Sequence, residues 1–515
     1  MTARYIIAQK MAACTRLALM WACLTAVVTG VLIAGAVPPV GVLLLLIVAI
    51  RSQRRRLPVS GAFGVARFAD VIDLMLARML FTRSGVLVGR VGGVARPPSL
   101  GQRLGALFFW PESRSIEACY LNSADARRIR RAFVRISDFT HGIVVAPPGR
   151  GKSRCIAIPL LLDYRMPVFV LDIKGELFRT AAGQRLCRSG RSVILIDPFG
   201  ITDYPSDAVN PLDLIDCASE TALDDCRFLA ASMVQITGEE REPHFSESAR
   251  LFITAAIAYV AAYAPPLERN LQLVRLILTH PKAFASAIKE MQASKAYGGL
   301  LSRLGYRLTQ FIDRELGSAL TTTNRFMDYL DSVLIAAVTA KSTFRFEDVL
   351  EGRADCYVVV PPEQLIPQAN FLRLITTCMY LAQVRYGSER TPVLYLLDEI
   401  GNLSGGLEAV ERALTIGRGY GARLLLFVQS LGQLKSLFPK KEEIILSCLD
   451  TQLYFGINDY ETAHLVSKRL GQTTVHTVSS NENGGWSRSY SDYGHLSSSV
   501  SSSGGWSRGV SETGQ

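Results

Sequence analysis

Ala146-Pro147-Pro148-Gly149-Arg150-Gly151-Lys152-Ser153 is the stretch on which the reading turns. An apolar, strand-like run, Gly142-Ile143-Val144-Val145, precedes it, and a helix-like run, Arg154-Cys155-Ile156-Ala157-Ile158-Pro159-Leu160-Leu161, follows. Strand, loop and helix in that order are the setting of a Walker A loop. Its backbone N–H groups wrap phosphate oxygens, Lys152 reaches the β and γ oxygens, and Ser153 holds Mg2+. The first position is Ala146 rather than glycine, so the short motif alone is only moderately specific.

A second run, Val393-Leu394-Tyr395-Leu396-Leu397-Asp398-Glu399, reads as a buried strand ending on two carboxylates. Such a strand puts Asp398 beside the metal and Glu399 where it can polarise an attacking water. An Asp-Glu pair after an apolar run is, by itself, commonly no more than a strand end. With the Lys-Ser loop in the same chain, the pair implies a nucleoside triphosphatase that takes ATP and Mg2+.

At 515 residues the chain is long enough for more than one structural unit. Its 49% hydrophobic content and mean hydropathy of +0.21 are high for a soluble enzyme. Much of the excess lies between Leu17 and Ile50, which hold no charged residue. One membrane span takes about 20 apolar residues, so this run is long for one and slightly short for two. Pro38-Pro39 would break a helix near its middle. Arg4, Lys10 and Arg16 precede the run, and Arg51, Arg54, Arg55 and Arg56 follow it. Positive charge on both sides suits a two-span hairpin in the inner membrane with both ends cytoplasmic. A single tilted span is the competing reading, and Ala34-Gly35-Ala36 resembles a signal-peptidase site.

Ten cysteines show no C-x-x-C pair, and Cys155, Cys187, Cys378 and Cys448 fall in segments that read as core. A reducing compartment without a metal–thiolate site follows. The net charge of +11 permits nucleic acid or an anionic membrane face as partner. Arg127, Arg128, Arg130, Arg131 and Arg135 form a basic cluster before the loop, read equally as a solvated helix face or as a contact surface.

Further strand-like runs are Val168–Asp172, Val193–Asp197, Cys356–Pro361, Leu424–Gln429 and Gln452–Gly456. Strands alternating with helices predict an α/β fold with a parallel sheet covered on both faces. Between Cys217 and Tyr329 only helical periodicity is found. The expected organisation is a membrane anchor at 1–56, nucleotide-binding segments at 57–216 and 330–480, and an all-helical insertion at 217–329. A Ser/Gly-rich tail at 481–515, with Gly-Gly-Trp-Ser-Arg at 484–488 and again at 504–508, reads as flexible.

Several segments resemble the TraG/TraD-type coupling proteins of type IV secretion systems. They include His141 to Ser153 followed by Ile158-Pro159-Leu160-Leu161, and Leu171-Asp172-Ile173-Lys174-Gly175-Glu176-Leu177. They also include Phe245-Ser246-Glu247-Ser248-Ala249-Arg250, Leu397-Asp398-Glu399-Ile400-Gly401-Asn402-Leu403 and Val428-Gln429-Ser430-Leu431-Gly432-Gln433-Leu434. Gly456-Ile457-Asn458-Asp459, Thr462-Ala463 and Leu470-Gly471 continue the pattern, and Gly64-Val65-Ala66-Arg67-Phe68-Ala69 resembles its start. The likeness runs from about Gly64 to Val478.

The resemblance implies a RecA-like P-loop core with an all-helical domain and an N-terminal transmembrane anchor. It further implies a membrane-bound homo-oligomer, a hexamer, that hands cargo to the inner-membrane proteins of a secretion channel. That cargo is a relaxase joined to single-stranded DNA, or effector protein. It implies phosphate and Mg2+ binding by Lys152 and Ser153, metal support by Asp398, and a catalytic base in Glu399. Gln429 becomes a γ-phosphate sensor and Arg418 an arginine finger for the neighbouring subunit. A solvated loop arginine is the competing reading of Arg418. Asp172, Lys174 and Glu176 either organise the site or form a strand-end ion pair. Competing functions are a double-stranded DNA pump of the septal type and a docking platform with little turnover. The Asp-x-Lys-Gly-Glu block speaks against the first. The full set Lys152, Asp398, Glu399 and Gln429 speaks against the second.

Overall fold

Strands in this chain are built from residues that bury on both sides, and this dictates a sheet with helices on both faces. The computed structural model describes residues 132–234, 243–402 and 408–471, parts of 74–90, and strand segments within 474–514. The expected membrane anchor, Arg127 to Arg131 and the segment from Gly64 to Ala69 lie outside the described residues.

Two antiparallel strands come first, β1 (Val86–Arg90) and β2 (Phe133–Ile136), with a register shift between Leu87 and Gly89. Arg135, read equally as part of a solvated helix face or of a contact surface, sits on β2. Its guanidinium bonds the Asp163 carboxylate at 2.8 Å and the Thr82 carbonyl at 3.2 Å. Strand pairing thus overrides the helical reading of that residue, which is committed to a local brace.

The main sheet contains β3 (His141–Val145), β4 (Val168–Asp172), β5 (Ser192–Ile196), β6 (Ala354–Val359), β7 (Val393–Leu397), β8 (Ala422–Val428) and β9 (Thr451–Tyr454). All pairings are parallel, in the order β5-β6-β4-β7-β8-β3-β9. Side chains alternate between two cores, as a two-residue period requires. Val168 and Val170 of β4 pack with Leu394, Leu396 and Phe427 on one face; Phe169 and Leu171 pack with Tyr395, Leu397 and Leu426 on the other. Leu160, Leu161, Leu177 and Phe178 cover the first face from the helices Ile158–Asp163 and Glu176–Ser189.

The second face continues into helical packing. Between β5 and β6 the described residues form helices and turns only, among them Ala222–Met233, Pro243–Tyr263, Leu271–Thr279, Pro281–Gln292 and Asp313–Met327. Pro243–Tyr263 is long and apolar enough to cross a membrane, yet Phe252, Ile253, Ala256 and Val260 are fully buried in the protein core. It is a core helix. The 18-residue helix Ala369–Tyr386 joins the two regions, since Phe371, Leu374, Cys378 and Met379 belong to the same core as the sheet.

Cys155 and Cys187 are exposed, contrary to the expectation of burial, because each falls on the outward side of its helix; Cys226, Cys356 and Cys378 are buried. All seven described cysteines are free. The Ser/Gly-rich C-terminal stretch, expected to be flexible, carries paired strands. β10 (Thr474–Ser479) pairs antiparallel with β13 (Gly509–Gly514), and β11 (Gly485–Tyr490) with β12 (Leu496–Ser501). Threonines and valines at 474–478, and Trp486 and Tyr490 in alternation with serines, supply the strand preference that a count of Ser and Gly conceals.

One buried ion pair ties this architecture together. Arg185 donates through Nε and Nη2 to the Asp355 carboxylate at 2.8 and 3.0 Å. It also donates to the carbonyls of Leu161, Tyr164 and Met166. Asp355 in turn accepts from the Val168 N–H at 3.1 Å. Removing one partner of such a pair strands the other charge, so Asp355→Ala or Arg185→Ala should cost about 3–5 kcal/mol of stability. Urea unfolding checks this. The double variant Arg185→Met/Asp355→Leu is expected to lose less than either single truncation.

Candidate functional site

The loop at Ala146–Ser153 leaves β3 at the carboxyl edge of the sheet, where open α/β sheets bind ligands. Ala146 is fully buried; its N–H donates to the Val428 carbonyl at 3.1 Å, extending the β3–β8 ladder by one residue. Left-handed backbone falls later, at Gly149 (φ 74°) and Gly151 (φ 87°), where a side chain would be strained. A non-glycine residue at position 146 therefore costs the loop nothing.

Lys152 begins a wide turn to Ala157 in which the Ile158 N–H reaches back five residues to the Ser153 carbonyl. Pro159 lacks the N–H that the next tight-turn bond would use, which favours this widening. Lys152 is buried and its ammonium donates to the Ala146 carbonyl at 2.8 Å. Burial lowers its pKa, while Glu399 and then Asp398 oppose that shift.

Asp398 and Glu399 follow β7 on the same edge. The Asp398 N–H donates to the Leu171 carbonyl at 3.1 Å, continuing the β4–β7 ladder. Burial, then the neighbouring Glu399 and Asp172 carboxylates, push the Asp398 pKa up to about 7. Glu399 has φ 46°, an uncommon left-handed conformation for a side chain of its size. Gln429 ends β8, and its N–H donates to the side-chain oxygen of Gln433 at 2.8 Å. Since β8 lies between β3 and β7, the loop and the acidic pair stand about 10 Å apart, two strand spacings.

This is a span of the size that phosphate oxygens and a divalent cation would fill. Loop N–H groups and Lys152 offer positive charge, while the hydroxyl of Ser153 and the Asp398 carboxylate are hard oxygen ligands. The fit to a cation rests on the carboxylate chemistry of Asp398 at the strand edge beside Glu399; burial first, then the neighbouring carboxylates, raise its pKa.

The Asp172 carboxylate accepts from the N–H groups of Phe178 at 2.9 Å and Lys174 at 3.2 Å. Through these bonds Asp172 holds the first turn of the helix Glu176–Ser189, and Lys174 is exposed. Glu176 faces the Arg154 guanidinium at 3.9 Å.

Arg418 is exposed in the turn Gly417–Tyr420, which precedes β8. It therefore sits at the amino edge of the sheet, separated from Gln429 by the seven residues of β8, about 23 Å. His141 is buried at that far edge and accepts from the Leu424 N–H through Nδ1. Burial, then Arg423, lower its pKa to about 4.

Reading the sequence alone missed two contacts at the carboxyl edge. Arg150 packs over Gly456, the segment just past β9, and Gln433 bridges toward Gly401. Neither has a local sequence signal beyond the glycines. Among the described residues no group of His, Cys, Asp and Glu forms a separate metal site.

The sign of the Asp398 shift gives a pH test. A folded-state pKa raised from 3.8 to about 7 means the native state binds the proton more tightly, so this group lowers stability as pH rises between those values. Asp398→Asn should therefore raise the Tm of the nucleotide-free protein more at pH 8 than at pH 5. An equal change at both pH values would contradict the burial effect.

Comparison with known proteins agrees with this geometry. Residues 101–504 match the family model described as type IV secretory system conjugative DNA transfer. The protein VirD4 of Rhizobium radiobacter is 27% identical over 437 residues, covering 83% of this chain and 57% of that protein. The conjugal transfer protein TraG of Escherichia coli is 26% identical over 436 residues, covering 80% and 65%. The chain spans about half the length of the VirD4 relatives it matches. Among solved structures, the plasmid coupling protein TrwB in complex with ADP and Mg2+ aligns with a TM-score of 0.50 at 16% identity, covering 81% of this chain and 87% of that one. Its likeness extends to the α/β fold. The match over most of its length shows that this chain belongs to the type IV secretory system conjugative DNA transfer family.

Proposed function

We propose that this chain is the ATP-hydrolysing coupling protein of a type IV secretion system, held in the inner membrane through Leu17–Ile50. The reading rests on one observation above all. Lys152, Asp398, Glu399 and Gln429 gather at one edge of adjacent strands, while Arg418 stands at the opposite edge.

In this reading the loop Ala146–Ser153 holds the β and γ phosphates through the N–H groups of Gly149, Arg150 and Gly151 and the Lys152 ammonium, since Pro147 and Pro148 have no N–H and that of Ala146 is bonded to Val428. Ser153 and Asp398 hold Mg2+, which would neutralise charge on the phosphoryl oxygens. Burial and the neighbouring carboxylates oppose ionisation of Asp398, so positive charge arriving at the site favours its carboxylate form. Glu399 takes a proton from the attacking water as general base, and Gln429 senses the γ phosphate through its side-chain amide. Magnesium and nucleotide binding are supported by TrwB, solved with ADP and Mg2+.

Arg418 cannot reach the loop of its own chain across about 23 Å of strand, which supports a finger acting on a neighbouring copy. Hydrolysis then requires a ring, here a hexamer. Such a finger stabilises charge spread over the transferring phosphoryl group. The channel's inner-membrane proteins, a relaxase joined to single-stranded DNA, and effector proteins are the partners proposed. The names of the VirD4 and TraG relatives support a role in secretion and conjugal transfer. The nucleotide segments at 57–216 and 330–480 and the helical insertion at 217–329 are the proposed division of labour.

ATP hydrolysis by the full chain in detergent is the direct test. Turnover should rise steeply with protein concentration, and Lys152→Ala should reduce it by about two orders of magnitude or more without preventing membrane insertion. Arg418→Ala should reduce it by about 1,000-fold. Mixing Lys152→Ala with Arg418→Ala subunits should restore part of the activity, because one kind of interface then has an intact loop and an intact arginine. No recovery on mixing would sink the shared-site arrangement. Stimulation by single-stranded DNA would favour relaxase-bound DNA as cargo, and indifference to it effector protein.

A further inference from the structure

The turn carrying Glu399 and the end of β8 carrying Gln429 are joined by a side chain to which the hydrolysis scheme gives no part. Gln433 lies in the helix Leu431–Leu437, four residues beyond Gln429. Its side-chain oxygen accepts the Gln429 N–H at 2.8 Å. The same oxygen lies against the turn after β7. A Cβ built on Gly401 would approach it to 2.4 Å, and would meet Cδ and Cβ of Gln433 at 2.7 and 2.8 Å. Gly401 is therefore bare because Gln433 fills the space a side chain would occupy. Two residues earlier, Glu399 holds its left-handed φ of 46°, a conformation that persists only where the surroundings impose it. Ile400, between them, is buried.

We propose that Gln433 is a positioning residue that couples the phosphate-sensing end of β8 to the Glu399 turn. The inference rests on the hydrolysis reading above and adds a part to it. The carboxamide oxygen is tied to the backbone of Gln429, and the same oxygen with Cδ and Cβ abuts Gly401. A shift of the Gln429 backbone therefore moves the support on which the Glu399 turn rests. Glu399 is aligned for proton transfer only while that support is in place. The chemistry of Gln433 fits the task, since its oxygen accepts a backbone N–H without bringing another charge beside Asp398 and Glu399.

The experiment uses the full chain in detergent and three variants. Gln433→Met keeps the side-chain volume but has no amide oxygen, Gln433→Ala removes the packing as well, and Gly401→Ala displaces Gln433 by contact. All three should keep the dissociation constant for Mg-ADP within about threefold of the parent and lose tenfold or more in kcat with KM little changed. Combining Gly401→Ala with Gln433→Ala should be no worse than the more severe single change, because both break one link. Turnover of Gln433→Met within twofold of the parent would overturn the proposal. So would losses that multiply in the double variant, or a parallel fall in Mg-ADP affinity. Lys152→Ala reports on hydrolysis independently. An inactive Lys152→Ala beside a fully active Gln433→Met leaves the hydrolysis reading intact and removes only this link.

Discussion

Parallel pairing of β4, β7, β8 and β3 is the constraint from which the site follows. Parallel strands bring all their carboxyl ends to one edge. Residues separated by some 280 positions, such as Lys152 and Gln429, are thereby held within a few strand spacings of one another. The ladders even run past the strand ends. The Ala146 N–H is tied to Val428 and the Asp398 N–H to Leu171, so loop and acidic pair leave the sheet at defined heights. The same constraint sends Arg418 to the other edge, since it enters β8 where Gln429 leaves it. One topological fact puts Lys152, Asp398, Glu399 and Gln429 at one edge and Arg418 at the other.

Holding that geometry has an electrostatic cost. Three carboxyls, those of Asp172, Asp398 and Glu399, crowd one edge with Lys152 as their buried counter-charge. Burial raises the pKa of Asp172, and the N–H groups of Phe178 and Lys174 offset that only in part. Asp398 has no comparable compensation, which is why its pKa rises so far. Arg185, by contrast, is fully paired, with five hydrogen bonds to acceptors. Crowding of carboxyls at this edge is the kind of electrostatic imbalance that clusters at functional sites.

The helical region between β5 and β6 is not simply hung on the sheet. Its core helix Pro243–Tyr263 and the helix Ala369–Tyr386 share one apolar core with a face of the sheet. Arg385 on the latter helix also pairs with the Asp225 carboxylate on Ala222–Met233. A core continuous with the nucleotide edge gives a physical route by which events there reach the helical region.

Periodicity and composition sufficed for the strands from Val168 onward, because fully buried strands are written as apolar runs of four to seven residues. The loop with Lys152 and Ser153, and the pair Asp398-Glu399, were equally legible, since their chemistry needs those side chains in consecutive order. Other features depend on what lies opposite. Arg135 reads as part of a basic cluster until β2 turns it onto Asp163. Asp172 reads as a partner for Lys174 until its carboxylate is found on backbone N–H groups. The Ser/Gly-rich stretch reads as flexible until Trp486 meets Val500 across an antiparallel register. The sequence by itself determined the class of fold and the strand-end placement of the Lys152-Ser153 loop and the Asp398-Glu399 pair, because those are written in local patterns. Only the tertiary structure decided the order of the strands, the edge on which Arg418 stands, the pKa of Asp398 and the bridge from Gln433 to Gly401. Those properties arise from distance and burial between residues far apart along the chain, and no local pattern encodes them.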